Sequence, residues 1–291
     1  MSDAHTLTLA LRGKWYRRYG LACCPAHGDK RPSLSLADAP NGKLLLNCKA
    51  GCSFSDVLQA LRDRGMIGGR PVPPDPAEIA LREAQVKETE KKREGQALAC
   101  WNAAQPIGGN IAETYLRGRG ITCDLPASLR FLPDCWHASA KRAPAMIARV
   151  DGLPRFAVHR TYLRGDGSGK ADLDPPKAML GSTMGGAVRI TEAQGPLVVC
   201  EGLETALSLS SGLLRGPAQI WAALSASGMA GLRLPERTHR LTIAPDGDAA
   251  GRNAAHKLAE RATALGWAVS LLPAPEGRDW NDVLCMKKGD R

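Results

Sequence analysis

From residue 196 onward the chain alternates between near-continuous apolar runs and amphipathic stretches, and that rhythm narrows the folds open to it. "PLVVCEG" reads as a buried strand and "LETALSLSSGLL" as the helix behind it. "AQIWAAL" and "SGMAGLRL" follow, then "RLTIAPDGD" with "AAGRNAAHKLAERATALG", and finally "WAVSLLPA". Apolar strands separated by amphipathic helices imply a parallel sheet covered on both faces. In such sheets ligands collect at the carboxyl ends of the strands. Acids stand at those ends. Glu201 follows the first strand, Asp246 and Asp248 the third, and Asp279 and Asp282 come just after the fourth, in "EGRDWNDVL".

In extended backbone, residues two apart point to one side, so Asp246 and Asp248 would share a small volume and repel. If the strands ending at Glu201 and Asp246 are neighbours, three carboxylates converge on one edge. A divalent cation removes the repulsion, and oxygen ligands on an open edge suit Mg2+ or Mn2+. The plainer alternative leaves each acid in its own solvated loop or helix cap, with Asp282 the readiest cap.

The first 67 residues carry a second pattern. Cys24-x2-His27 is followed by Cys48-x3-Cys52, two close pairs that offer the four soft ligands of a tetrahedral Zn2+ site. Cys23 could stand in for Cys24 at a changed spacing, but Cys24 makes the tighter knuckle. Pro25 and Gly51 shape the two knuckle turns, and "SLSL" and "KLLLNC" read as short strands around the turn "APNGK". A segment this small buries little apolar area, so the metal supplies stability, and four protein ligands make the site structural. Arg12, Lys14, Arg17, Arg18, Lys30 and Arg31 surround it with positive charge. Trp15 and Tyr16 offer faces for stacking bases, although a merely solvated basic surface fits equally well.

Between these parts, "IGGRPVPPDP" breaks the chain, and residues 68–104 read as a linker and a long, largely solvated charged helix. Residues 105–195 offer the short strands "LRFLP", "PAMIARV", "RFAVHRTYL" and "AVRIT", and a basic hairpin with Arg160, Arg164, Lys170 and Lys177. The stretch "GDGSGKA" is one residue short of a P-loop and puts Ala171 where Mg2+ would need a hydroxyl, so no ATPase motor is expected. The hairpin could hold phosphates or simply be solvated. Lys+Arg number 39 against 29 Asp+Glu, a net charge of +10 that favours a polyanionic partner, nucleic acid first. The longest apolar stretch contains Glu201 and Glu204, and the N-terminus lacks a signal-peptide core, so a cytoplasmic protein with no membrane partner is expected.

Together, "CPAHGDKRPSLSL…LNCKAGCSFSDVL", "VVCEGLETALSL", "IAPDGDAAGRNAA" and "GRDWNDVL" resemble the bacterial, phage and plasmid DNA primases with an N-terminal zinc ribbon (CHC type) and a Toprim catalytic domain. The Cys-x3-Cys pair departs from the Cys-x2-Cys usual in cellular members and is similar to primase-like proteins of mobile elements. The resemblance implies an α/β protein, α+β overall. Its parts would be a zinc-ribbon DNA-binding domain (1–67), the linker helix (68–104), a mixed basic subdomain (105–195) and a parallel-sheet Toprim domain (196–291). It implies a nucleotidyltransferase that makes short RNA primers on single-stranded DNA from ribonucleoside triphosphates. Glu201, Asp246 and Asp248 would be catalytic and hold Mg2+ or Mn2+, and Glu201 is also a candidate general base. Arg160, Lys170, Lys177, Asp279 and Asp282 would serve cofactor or phosphate binding, and a separate replicative helicase is a plausible partner. A Toprim metal-dependent nuclease and a non-catalytic single-stranded DNA-binding module remain the alternatives.

Overall fold

In the computed structural model, residues 3–39, 43–67, 76–237 and 239–289 are described. The chain divides into two compact units, 1–79 and 80–291. The breaker residues 68–75 and the centre of the "APNGK" turn, 40–42, lie outside the described residues.

The first unit opens with α1 (Ala4–Ala10), whose N-terminus is capped by the Asp3 carboxylate accepting from Thr6 N at 2.6 Å. An antiparallel sheet follows in the order β1 (Lys14–Tyr16), β2 (Tyr19–Ala22), β3 (Leu34–Asp38), β4 (Leu44–Cys48). α2 (Phe54–Asp63) closes the unit behind a reciprocal Ser53/Asp56 capping box. Leu7, Leu34, Leu36, Val57 and Leu61 form its small core. The "SLSL" and "KLLLNC" stretches are β3 and β4, paired Leu34↔Cys48.

The charged stretch forms α3 (Pro76–Ala103). Its outer part is exposed, with Leu81 at 61% and Val86 at 56%. Its last turns are not solvated. Ala97 and Trp101 are buried with Ala104 among residues of the strands that come next, so this end of the helix is core of the second unit. β5 (Gln105–Pro106), α4 (Ile111–Gly118), β6 (Leu129–Trp136), β7 (Arg142–Val150), β8 (Ala157–Tyr162) and β9 (Lys177–Leu180) follow, the five strands forming one antiparallel sheet in chain order. β6 carries a register shift between Leu132 and Cys135, where Pro133 has no amide to offer the ladder.

The second sheet of this unit has the order β10-β12-β11-β13-β14, built from β10 (Val188–Glu192), β11 (Leu197–Cys200), β12 (Gln219–Ala222), β13 (Arg240–Ala244) and β14 (Ala268–Leu271). β12, β11, β13 and β14 are parallel, as the apolar rhythm implies, and β10 adds an antiparallel edge. Alternate residues serve opposite faces. Val198, Cys200, Ile220, Ala222 and Ala244 pack with α5 (Leu203–Ser208), a π-helical turn at Leu209–Leu213, and Leu284 of α8 (Trp280–Gly289). Leu197, Val199, Trp221, Leu241 and Ile243 pack with α6 (Ala226–Gly231) and α7 (Ala249–Ala264).

The first of these faces continues into Leu116, Leu129, Met146 and Ala148 of the antiparallel region. The antiparallel region and the C-terminal sheet thus share one core, and β10, from the stretch 105–195, is an edge strand of the C-terminal sheet. Among the described residues, no helix is long and apolar enough to cross a membrane.

Candidate active site and zinc-binding cluster

β11 and β13 are hydrogen-bonded neighbours with Cys200 opposite Ala244, so Glu201 and the Pro245–Asp246 step leave the sheet side by side. The acids there feel one another. Burial, then the charges of Glu201, Asp279 and Asp248, push the Asp246 carboxyl up to about 6. Burial and the Asp248 charge raise Glu201 too, against an Ala226 amide and the Lys177 charge. Thr205 Oγ1 donates to Asp246 Oδ1 at 3.2 Å and fixes that side chain. Asp248 is the N-cap of α7, its Oδ1 accepting from Gly251 N at 2.6 Å.

The loop between the two aspartates is tightly held. Gly247 N donates to Arg278 O at 2.8 Å, and Gly277 N returns to Gly247 O at 3.0 Å. A Cβ on Gly247 would sit 1.9 Å from Pro275 O, so only glycine fits there. This seam brings the segment after β14 to the rim. Asp279 and Asp282 make a reciprocal cap at the start of α8, with N–H to carboxylate distances of 3.1 and 2.8 Å. Asp279 thus caps α8 and Asp282 returns the bond from within its first turn, while Asp279 also contributes charge at Asp246.

The expected phosphate-binding cations are placed differently. Lys177 Nζ lies 3.0 Å from Glu204 Oε2, and Lys170 Nζ 3.6 Å from Glu204 Oε1. The Tyr115 hydroxyl donates to the same carboxylate at 2.8 Å. Glu204 is 4% exposed. Burial alone would push its carboxyl up, but Lys177, Lys170 and Tyr115 outweigh it and hold it well below the usual carboxylate range. His159 is buried behind this group. Desolvation and the Lys177 charge bring its imidazole down to about 4.

Glu204 was not singled out from the sequence. Its signal was a second carboxylate in an otherwise apolar helix, one turn after Glu201. Both lysines keep roughly a third of their side-chain surface in solvent. Arg160 does not join them. Adjacent residues of β8 face opposite sides of the sheet, so Arg160 is buried with Tyr162 on the α3 side while His159 faces Lys177.

In the first unit, the ligand atoms of Cys24, His27, Cys48 and Cys52 all lie within 4.8 Å of one another, the one such group of three or more Cys, His, Asp or Glu found among the described residues. Cys24, not Cys23, is the member. The donor set is three sulfurs and an imidazole nitrogen, which fits Zn2+. His27 Nδ1 lies 3.1 Å from Cys52 Sγ, while Nε2 lies 2.6 Å from Asp29 Oδ1. A carboxylate on the far ring nitrogen selects the tautomer that leaves Nδ1 free as a ligand.

Asp29, another residue the spacing did not flag, also accepts from Cys24 N at 3.0 Å and from the Ser33 hydroxyl. Burial pushes the Cys48 thiol up, but amides of Cys52 and Ala50 and the Ser33 hydroxyl bring it down to about 6. Gly51 sits at φ +94, the left-handed turn that lets those amides face the sulfur. Trp15 is half-buried, edge-on to His5 at 5.0 Å, whereas exposed Tyr16 stacks with Tyr19 at 5.5 Å under Lys14. Of the two rings expected to offer faces to bases, Tyr16 is exposed and lies against Tyr19, and Trp15 is half-buried.

Residues 196–290 match the family described as a Toprim domain, and residues 91–190 match one described as a domain of unknown function (DUF7146). The C-terminal segment is a Toprim domain, standing in a chain that also carries a Cys3His zinc-binding cluster. Among solved structures, the chain is similar to a DNA primase domain from Pseudomonas aeruginosa, with 19% identity, 67% of this chain and 75% of that one covered, and a TM-score of 0.44. It is similar to the zinc-binding and RNA polymerase domains of the Aquifex aeolicus primase at 14% identity, over 98% of this chain and 83% of that one, TM-score 0.44. The primase fragment of the bacteriophage T7 primase-helicase protein matches at 19% identity over 50% and 65%, TM-score 0.29. No curated protein matches the chain.

Proposed function

We propose that the chain is a primase-type nucleotidyltransferase that joins ribonucleotides into short primers on single-stranded DNA. The observation that carries this reading is the meeting of Glu201 and Asp246 at the ends of adjacent parallel strands of a Toprim domain. Carboxylates that push one another toward the protonated form gain when a divalent cation joins them. Glu201, Asp246 and Asp248 would hold Mg2+ or Mn2+, and such an ion, when bound, stabilises charge on the attacking and leaving oxygens of a nucleotidyl transfer.

The chain's own groups do the rest. Glu201, raised by burial and by Asp248, is suited to accept the proton of a 3′-hydroxyl. Lys177 lies close enough to lower Glu201 and keeps about a third of its side-chain surface in solvent, so it can meet a triphosphate oxygen beside the rim. Glu204 holds Lys177 and Lys170 in place for that contact. In the first unit, Tyr16 and Tyr19 with Lys14 would stack template bases, and the zinc cluster would hold that face in shape. A separate helicase would supply the single strand.

The test is incubation of the protein with single-stranded DNA, Mn2+ and labelled ribonucleotides. New short oligonucleotides are the expected result. Shortened DNA would make the protein a nuclease, and a shifted but unchanged strand would make it a binding module; either outcome overturns the proposal.

A further inference from the structure

The helix that follows Glu201 carries a hydroxyl that behaves unlike its neighbours. Ser208 Oγ donates to Glu204 O at 2.7 Å and Ser211 Oγ to Leu207 O at 2.8 Å, each back along its own helix by four residues. For Thr205 the equivalent carbonyl is Glu201 O, which accepts from Leu224 N at 2.7 Å. Thr205 is 2% exposed, so its hydroxyl needs a partner within the protein. It finds one across the sheet edge, donating to Asp246 Oδ1 at 3.2 Å. The backbone at Asp246 is clamped independently. Ala274 N donates to Pro245 O at 3.0 Å, and Gly247 is bonded through both its N–H and its carbonyl to residues 277 and 278. A Cβ on Gly251 would lie 2.7 Å from Asp246 O, so the first turn of α7 presses on the same peptide. What remains free in Asp246 is its two side-chain torsions, and the Thr205 hydroxyl restrains them.

We propose that Thr205 is a positioning residue, whose hydroxyl holds Asp246 by Oδ1 so that Oδ2 is presented to the divalent ion at the rim. The inference rests on the reading of Asp246 as an ion ligand. An ionised carboxylate can only accept hydrogen bonds, so a donor on one oxygen fixes the direction of the other. Partners in this outer position orient a ligand without touching the ion, and losing one weakens metal binding. Thr205 adds no charge of its own. It stands one turn after Glu201, in the helix that leaves β11, and reaches the acid that follows β13. One strand-and-helix unit thus supplies the first rim acid and orients the second, which comes from the neighbouring strand.

Mn2+ uptake by the full-length zinc-loaded protein tests this, followed without nucleotide as the fall in the electron paramagnetic resonance signal of free Mn2+. Asp246→Asn marks any uptake that does not need the rim. Thr205→Val keeps the side-chain shape and removes the donor, and it should bind rim Mn2+ ~10-fold more weakly. Thr205→Ser keeps the hydroxyl and should restore the affinity. In primer synthesis, Thr205→Val should need correspondingly more Mn2+ for its half-maximal rate. If Thr205→Val does not fold, Thr205→Ala takes its place against the same Ser control. Unchanged Mn2+ affinity in Thr205→Val overturns the positioning role and leaves the rim ion standing. A loss that Thr205→Ser fails to restore overturns it too, because the site then responds to packing rather than to the hydroxyl. No rim uptake by the unaltered protein overturns both this inference and the ion reading. Uptake that depends on the hydroxyl, with no primers made, upholds the inference and removes the primase assignment instead.

Discussion

The zinc cluster and the acidic rim hold their ligands in opposite ways. In the first unit, four soft ligands come from two short knuckles, lie within 4.8 Å of one another, and are supported by amides, Ser33 and Asp29. At the rim, carboxylates from separate strands and loops push one another toward the protonated form, and among the described residues no three of them gather as closely. One site is closed and has no position left for a substrate; the other is open and electrostatically unsatisfied. A structural metal rewards closure, whereas chemistry on a bound ion needs an open edge.

The comparison breaks most decisively at zinc. Cys48→Ser should release the metal and unfold residues 14–63 while the second unit stays folded, because structural zinc contributes about 10–16 kcal/mol to such small domains. Zinc content with hydrogen exchange checks this, and one retained equivalent would remove the ligand set. Asp246→Ala should lower primer synthesis by ~10³-fold or more while single-stranded DNA binding survives, the loss expected when a group stabilising transition-state charge is removed. Parallel synthesis and gel-shift assays decide it.

Glu204→Gln leaves the part-exposed Lys170 and Lys177 without their carboxylate and should cost about 2 kcal/mol in denaturant unfolding. Because Glu204 is held below its ordinary 4.5, its contribution is present above that pH and fades as the solution is acidified further. Asp246 has the opposite sign. Its folded pKa is raised to about 6, so the metal-free protein loses stability as pH climbs from 3.8 to about 6. Asp246→Asn should therefore raise the metal-free Tm at pH 7 while abolishing synthesis, and the gain should shrink on acidification through that window. A lowered Tm at pH 7 would count against repulsion at the rim. The smallest effect belongs to Asp282→Ala, which should cost about 1 kcal/mol through the lost cap and leave synthesis within a few-fold of normal.

How much was legible differs between the two sites for a physical reason. The Cys/His ligands are few, chemically distinctive and close in sequence, so spacing identifies them. The carboxylates Glu201 and Asp246 were legible because each follows an apolar strand, and strand ends in a parallel sheet share an edge. Glu204 was not, since a lone acid in an apolar helix gives no hint of the lysines that will face it from a hairpin far back in the chain. Arg160 was misplaced because its basic charge was read without the alternation of β8, which sends it to the α3 side. The solvated reading of α3 failed over its last turns, where Ala97 and Trp101 carry the packing.

Sequence alone settled what is local: the strand-and-helix rhythm of 196–291, the zinc ligands, and the acids at strand ends, because these depend on short-range periodicity and ligand chemistry. Only the tertiary structure decided which strands are neighbours, that β10 crosses into the C-terminal sheet, and where each buried charge finds its counter-charge. Those are long-range pairings, and the free energy that selects them comes from desolvating partners that lie far apart along the chain.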